Sequence, residues 1–234
     1  MHFGVTKIVF SVIIFLFTQC MQNFTVEEES INLNYLALGD SYTIGESVTE
    51  SQRYPVLLTK KLREQGYKIN DPFIVARTGW TTDELAAGIN AADITGTFDL
   101  VSLLIGVNNQ YRGRDVENYR TEFRSLLQQA IEFADGRPEN VFVLSIPDWG
   151  VTPFAGPQAS EKIAQEIDEY NAVNREETEN RGVLYVNITP ISRQAAEDPS
   201  LIASDGLHPS GKMYAAWVEL ALPDVKTILD NQTQ

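Results

Sequence analysis

The chain of 234 residues is long enough for one domain with a sizeable core and leaves no comfortable room for a second catalytic domain. Its 32 acidic against 18 basic side chains give a formal charge of −14. Such a surface repels polyanions, which excludes nucleic acid as a partner and anionic lipid surfaces as a nonspecific one. Cys20 is the single cysteine, so no internal disulfide can form and the core must hold the fold.

The first element is an apolar run over residues 8–17 with one serine in it, preceded by Lys7. It is shorter than the roughly 20 residues a membrane-spanning helix requires, so residues 1–20 read as a signal peptide and 21–33 as a polar linker. Cys20 stands where a bacterial lipoprotein carries its lipidated cysteine, although Gln19 replaces the usual small residue before it. A lipid anchor there and an incidental cysteine beside an ordinary cleavage site both remain open. That anchor is the one membrane attachment expected of an exported protein, periplasmic, cell-surface or secreted, whose folded domain spans residues 34–230.

Beyond the linker, short apolar runs alternate with longer segments of helical period, the pattern of a parallel sheet covered by helices on both faces. Strands are predicted over 35–38, 73–76, 100–105, 141–146 and 183–187. Helices are predicted over 54–65, with Pro55 in its first turn, and over 82–92, 116–134 and 160–179, with a last one beginning near Ser210. In the third, Tyr119, Phe123, Leu126, Leu127 and Ile131 recur at spacings of three and four and form one apolar face to lie on the sheet. The stretch 147–157, rich in Pro, Gly and aromatic residues, reads as a long loop. Folds of this class build their sites at the carboxyl ends of the strands, so chemistry is to be sought after each one.

Four segments there carry it. Gly39-Asp40-Ser41 follows the first strand, where a helix start can aim backbone N–H groups at an anion or oxyanion, although Asp and Ser are also ordinary turn and cap residues. Gly79 follows the second strand and lets a substrate oxygen approach its N–H; Asn108 follows the third and offers amide donors that do not titrate. In Asp205-Gly206-Leu207-His208, the histidine is the only one besides His2, which lies in the leader. An imidazole can accept and return a proton near neutrality, and a carboxylate three residues earlier can fix its tautomer; the two can equally form a structural hydrogen bond.

In order and place, the Gly-Asp-Ser block at Ser41, the glycine at Gly79, Gly106-Val107-Asn108-Asn109 and the Asp-x-x-His block at Asp205 and His208 resemble the SGNH (GDSL) hydrolase superfamily. The resemblance spans Tyr35 to the final helix and looks closest to lysophospholipase- and thioesterase-like members. It implies a flavodoxin-like three-layer α/β/α sandwich with a five-stranded parallel sheet. It also implies a serine esterase with Ser41 as nucleophile, His208 as base, Asp205 as its partner, and the N–H groups of Ser41 and Gly79 with the Asn108 amide as oxyanion hole. One position departs: Asn109 stands where the family usually has aspartate, which puts in question the support behind Asn108.

Lipid-derived or small acyl esters are the expected substrates. A carbohydrate deacetylase, a thioesterase and a non-catalytic binding protein using the Ser41 helix terminus are the alternatives. Asp40, Tyr111, Arg112 and Trp149 are candidate substrate contacts, with Asp148 and Phe154 in the long loop as further ones; Arg112 as a surface charge and Trp149 as a core plug are the plainer readings. Absence of Gly-x-Ser-x-Gly argues against an ordinary nucleophile elbow, and no metal-ligand spacing or phosphate loop occurs, so no metal or cofactor is expected.

Overall fold

Five apolar runs form the strands β1 (Tyr35–Gly39), β2 (Phe73–Ala76), β3 (Leu100–Leu104), β4 (Val141–Leu144) and β5 (Leu184–Val186) in a computed structural model, which describes residues 1–2, 32–156 and 158–232. Most of the expected signal peptide, Cys20 included, and most of the linker lie outside the described residues. Every strand pairs in parallel, in the order β2-β1-β3-β4-β5. That order reverses direction between β1 and β3, and the crevice at such a switch point is where open α/β sheets bind ligands. Ser41 and Asn108 follow these two strands.

All residues of β1, β3 and β4 are buried, as expected of near-continuous apolar runs covered on both faces. The covering helices include α2 (Tyr54–Glu64), α3 (Thr82–Ala91), α5 (Val116–Phe133), α6 (Ser160–Glu179) and α8 (Gly211–Gln232), with the short α7 (Thr189–Arg193) following β5. Helix α2 packs on α8, while α5 packs on both α3 and α6. The predicted stripe of α5 is buried from Tyr119 to Ile131. Each such side chain contributes roughly 1.5–3 kcal/mol by leaving water. The one polar residue inside β3, Ser102, shares hydrogen bonds with the buried phenols of Tyr35 (2.8 Å) and Tyr54 (3.1 Å), which removes the cost of burying its hydroxyl. No helix among the described residues is long and apolar enough to cross a membrane.

Three strands end earlier than predicted because side chains take over their ladders. The Asn171 amide accepts from the Ile146 N–H (2.8 Å) and donates to its carbonyl (2.9 Å), so this backbone needs no strand neighbour. At the end of β3, the Tyr119 hydroxyl donates to the Ile105 carbonyl; beyond β5, the Ile188 and Thr189 N–H groups donate to Ser145 Oγ. At the other end, Leu33, expected in the linker, already makes an isolated parallel bridge with Ile69 ahead of β2: its N–H donates to the Lys68 carbonyl at 2.8 Å. The long loop is pinned rather than open. Asp148 is buried, accepts from the Gly150 N–H and receives Arg193 Nε at 2.8 Å, so it organises the loop and is not free for a substrate.

Candidate active site

Ser41 opens α1 (Ser41–Ile44), a single turn placed directly on the end of β1. The turn can start so abruptly because residue 39 has no side chain: a Cβ on Gly39 would stand 2.4 Å from the Leu104 carbonyl oxygen and 2.1 Å from Thr43 Oγ1. Asp40 caps the turn, with Oδ1 accepting from the Tyr42 N–H at 3.0 Å. Asn108 lies on α4 (Val107–Tyr111), which follows Gly106 at φ 130°. A side chain at Gly106 would collide with Ile146 and Tyr119 as well.

Ser41, Asn108 and His208 line one cavity of about 150 Å³ at the switch point, together with Tyr42, Val107, Tyr111, Trp149, Phe154 and Leu207. Among the described residues no hydrogen bond joins the Ser41 hydroxyl to the imidazole; such contacts tighten when substrate binds. The His208 ring is mostly buried against the edge of Tyr42, with ring centres 5.9 Å apart. Its Nδ1 is 2.5 Å from Asp205 Oδ2.

Asp205 itself is fully engaged. Oδ2 also accepts from Ser47 Oγ at 2.6 Å, and Oδ1 accepts from the N–H groups of Leu207 and His208, both at 3.0 Å. Partial burial alone would raise its pKa, but the hydrogen bonds from Ser47, His208 and the backbone outweigh it and hold the carboxyl well below the usual range. By linkage, a lowered value stabilises the fold above the unfolded value near 4 and loses that contribution only as pH falls through the folded one. Asp205 is therefore an anion throughout the neutral range.

The remaining candidates divide. Tyr111, Trp149 and Phe154 form an aromatic cluster at the cavity, with ring centres 5.5–6.4 Å apart, and Trp149 Nε1 is fixed by Gln110 at 2.8 Å. Gly79 does not line the cavity; it lies in a turn at φ 87°, and Asn108 Nδ2 donates to the carbonyl of the following residue, Trp80, at 2.9 Å. Arg112 also lies off the cavity wall, its guanidinium donating to the Gly79 carbonyl (2.7 Å) and to Glu84 (3.2 Å). Ser47 was not singled out by sequence reasoning: it lies outside every motif, and only folding brings it to Asp205.

Asp40 has no solvent exposure, and its Oδ2 finds no hydrogen-bond partner among the described residues. Burial pushes the carboxyl up to about 7, against the smaller opposing effect of its backbone hydrogen bonds. Between about pH 4 and 7 the folded chain then holds a proton that the unfolded chain has released, so stability falls as pH rises through that window. The cost at pH 8 approaches about 4 kcal/mol if no other group compensates. Asp40→Asn keeps an oxygen for the cap and cannot ionise; the drop in Tm between pH 5 and pH 8 should shrink by about half or more in this variant. Calorimetry showing equal drops in both proteins would remove Asp40 as the cause.

Residues 37–216 match the model of the GDSL-like Lipase/Acylhydrolase family. No curated protein matches. Among solved structures, TesA superposes with a TM-score of 0.65 at 21% identity, covering 84% of this chain and 99% of TesA. The psychrotrophic esterase EstA from Pseudoalteromonas sp., in a structure inhibited by monoethylphosphonate, gives 0.65 at 17% identity, covering 86% and 100%. The acetylxylan esterase Axe2 from Geobacillus stearothermophilus gives 0.62 at 19% identity, covering 82% and 94%. At these identities the likeness is one of fold.

Proposed function

Given that this chain belongs to the GDSL-like lipase/acylhydrolase family and is an ester hydrolase, we propose that it is a serine esterase acting through Ser41, His208 and Asp205 on esters of short acyl groups. The observation that carries this reading is the shared cavity: a serine at a helix start, an amide donor and an imidazole backed by a carboxylate anion at 2.5 Å face the same space.

The imidazole Nε2 takes the Ser41 proton as Oγ attacks the ester carbonyl. Asp205 holds Nδ1 protonated, so that Nε2 is the free base and the resulting imidazolium is stabilised. Negative charge on the carbonyl oxygen is met by the N–H of Ser41 and the second N–H of the Asn108 amide, its first being spent on Trp80, while Gly79 stays off the cavity wall. When the tetrahedral intermediate collapses, the imidazolium gives its proton to the departing alcohol and leaves an acyl-enzyme. Water then attacks with His208 again as base, releasing the acid and restoring Ser41.

Size and charge narrow the substrate. A cavity of about 150 Å³ with largely apolar walls is of the size that accepts a six-carbon ring, and among the described residues no carboxylate or permanent cation lines it. It therefore suits an uncharged acyl group of up to about six carbons. Deacetylation of a saccharide is the second reading, favoured by Tyr111 and Phe154, exposed aromatic residues at the cavity of the kind that stack on a sugar ring. Such chemistry is named for the acetylxylan esterase of similar fold.

The test is a series of p-nitrophenyl esters beside acetylated xylose and an acyl thioester. We expect kcat/KM to be highest between acetate and hexanoate and to fall by about tenfold or more at dodecanoate. A rate that climbs steadily with chain length would replace the short-acyl reading with a lipid one. Preference for the acetylated sugar over p-nitrophenyl acetate would select the second reading.

A further inference from the structure

The departure at Asn109 is resolved by its neighbours. Asn109 and Thr82 are both fully buried and face one another across the turn that precedes α3. Asn109 Oδ1 accepts from the Thr82 N–H at 3.1 Å, and Asn109 Nδ2 donates to Thr82 Oγ1 at 2.6 Å. A hydroxyl that accepts from the amide has its own proton left to give, and it gives it to Glu122 Oε2 on α5. The chain of donors thus runs one way, from amide to hydroxyl to carboxylate. Meanwhile the preceding residue, Asn108, grips the Trp80 carbonyl of the same turn.

Resting on the oxyanion role proposed for Asn108, we infer that Glu122 is a positioning residue: acting through Thr82, it supplies from α5 the carboxylate that position 109 lacks, and Asn109 and Glu122 form one coupled unit. A carboxylate at position 109 could only accept. It would compete with Glu122 for the single Thr82 hydroxyl proton and place two anions on either side of one oxygen. The cation nearby cannot neutralise both. Arg114 Nη1 is 3.8 Å from Glu122 Oε2 but 2.6 Å from Asp83, whose carboxyl its hydrogen bonds pull down to about 2. Glu84 adds a further negative charge on α3 and is held by Arg112 and the Thr81 N–H. From α6 the Tyr170 phenol donates to the Arg114 carbonyl, with Glu166 of the same helix acting on that phenol, and Glu122 Oε1 accepts from Asn118.

The experiment is a double-mutant cycle on the full chain, read by kcat for p-nitrophenyl acetate and by Tm at pH 5 and pH 8. Asn109→Asp should lower kcat about tenfold at pH 8 with KM little changed, and much less at pH 5, where one carboxyl takes up a proton and restores a donor. Its Tm should fall more at pH 8 than at pH 5. Adding Glu122→Gln should return both quantities to within about threefold and a few degrees of wild type and remove the pH dependence that Asn109→Asp added. Additive effects, or a single Asn109→Asp variant that behaves as wild type at pH 8, would overturn the inference. Should Asn109→Asp fail to fold, Thr82→Val and Thr82→Ser decide: the first should lose about tenfold in kcat and the second should keep it, and equal, undiminished activity in both would overturn it. The Tm cycle stands independently of catalysis, so an esterase activity surviving Ser41→Ala would sink the catalytic reading while leaving the Asn109–Glu122 coupling measurable.

Discussion

Replacing Ser41 with alanine lowers kcat for p-nitrophenyl acetate by about 10⁴- to 10⁶-fold, to the level sustained by the oxyanion donors and substrate binding alone. The loss is this large because alanine removes the atom that forms the acyl-enzyme and leaves His208 with only a distant water to activate. Folding should be spared: Ser41 is nearly buried at the first position of α1, the cap is made by Asp40 and not by the serine, and alanine is a good helix former. Unchanged Tm with lost turnover is the expected pair of results. Activity within tenfold of wild type would assign the reaction to another nucleophile.

Asp205→Asn should cost about 10⁴-fold at pH 7, more than removal of a single oxyanion donor. The reason lies in four donors that converge on this side chain. The N–H groups of Leu207 and His208 require the amide oxygen where Oδ1 now stands, which turns the amide nitrogen toward the imidazole and Ser47. An N–H facing Nδ1 fixes the proton on Nε2, and an imidazole in that tautomer cannot accept from Ser41. The carboxyl is held far below its usual range, so protonation of Asp205 cannot account for a loss of activity in mild acid. A kcat/KM profile flat from pH 5 to pH 8 would contradict the role of His208, and a fully active Asp205→Asn variant would contradict that of Asp205.

Much of this architecture was legible because it is written locally. Buried parallel strands read as apolar runs, and the α5 stripe repeats at helical spacing, so the sheet, its flanking helices and the four segments at the strand ends could be placed from residue order alone. Asp205 and His208 sit three residues apart, and their pairing could be expected from a turn. What the sequence concealed are partnerships between distant residues. Ser47 and Asp205, or Thr82 and Glu122, carry no shared period or motif, and Asn171 closes the end of β4 from the middle of a helix. The contacts of Asp40 and Arg112 are likewise tertiary: the first is buried as a helix cap, and the second braces the turn at Gly79.

The most direct measurement is covalent trapping with a fluorophosphonate followed by intact-mass and peptide analysis. One adduct per chain, on the peptide containing Ser41, lost in Ser41→Ala and slowed at least about 10³-fold in His208→Ala, is what a serine activated by that imidazole requires. An adduct on a different residue, or labelling that proceeds equally without His208, would contradict it.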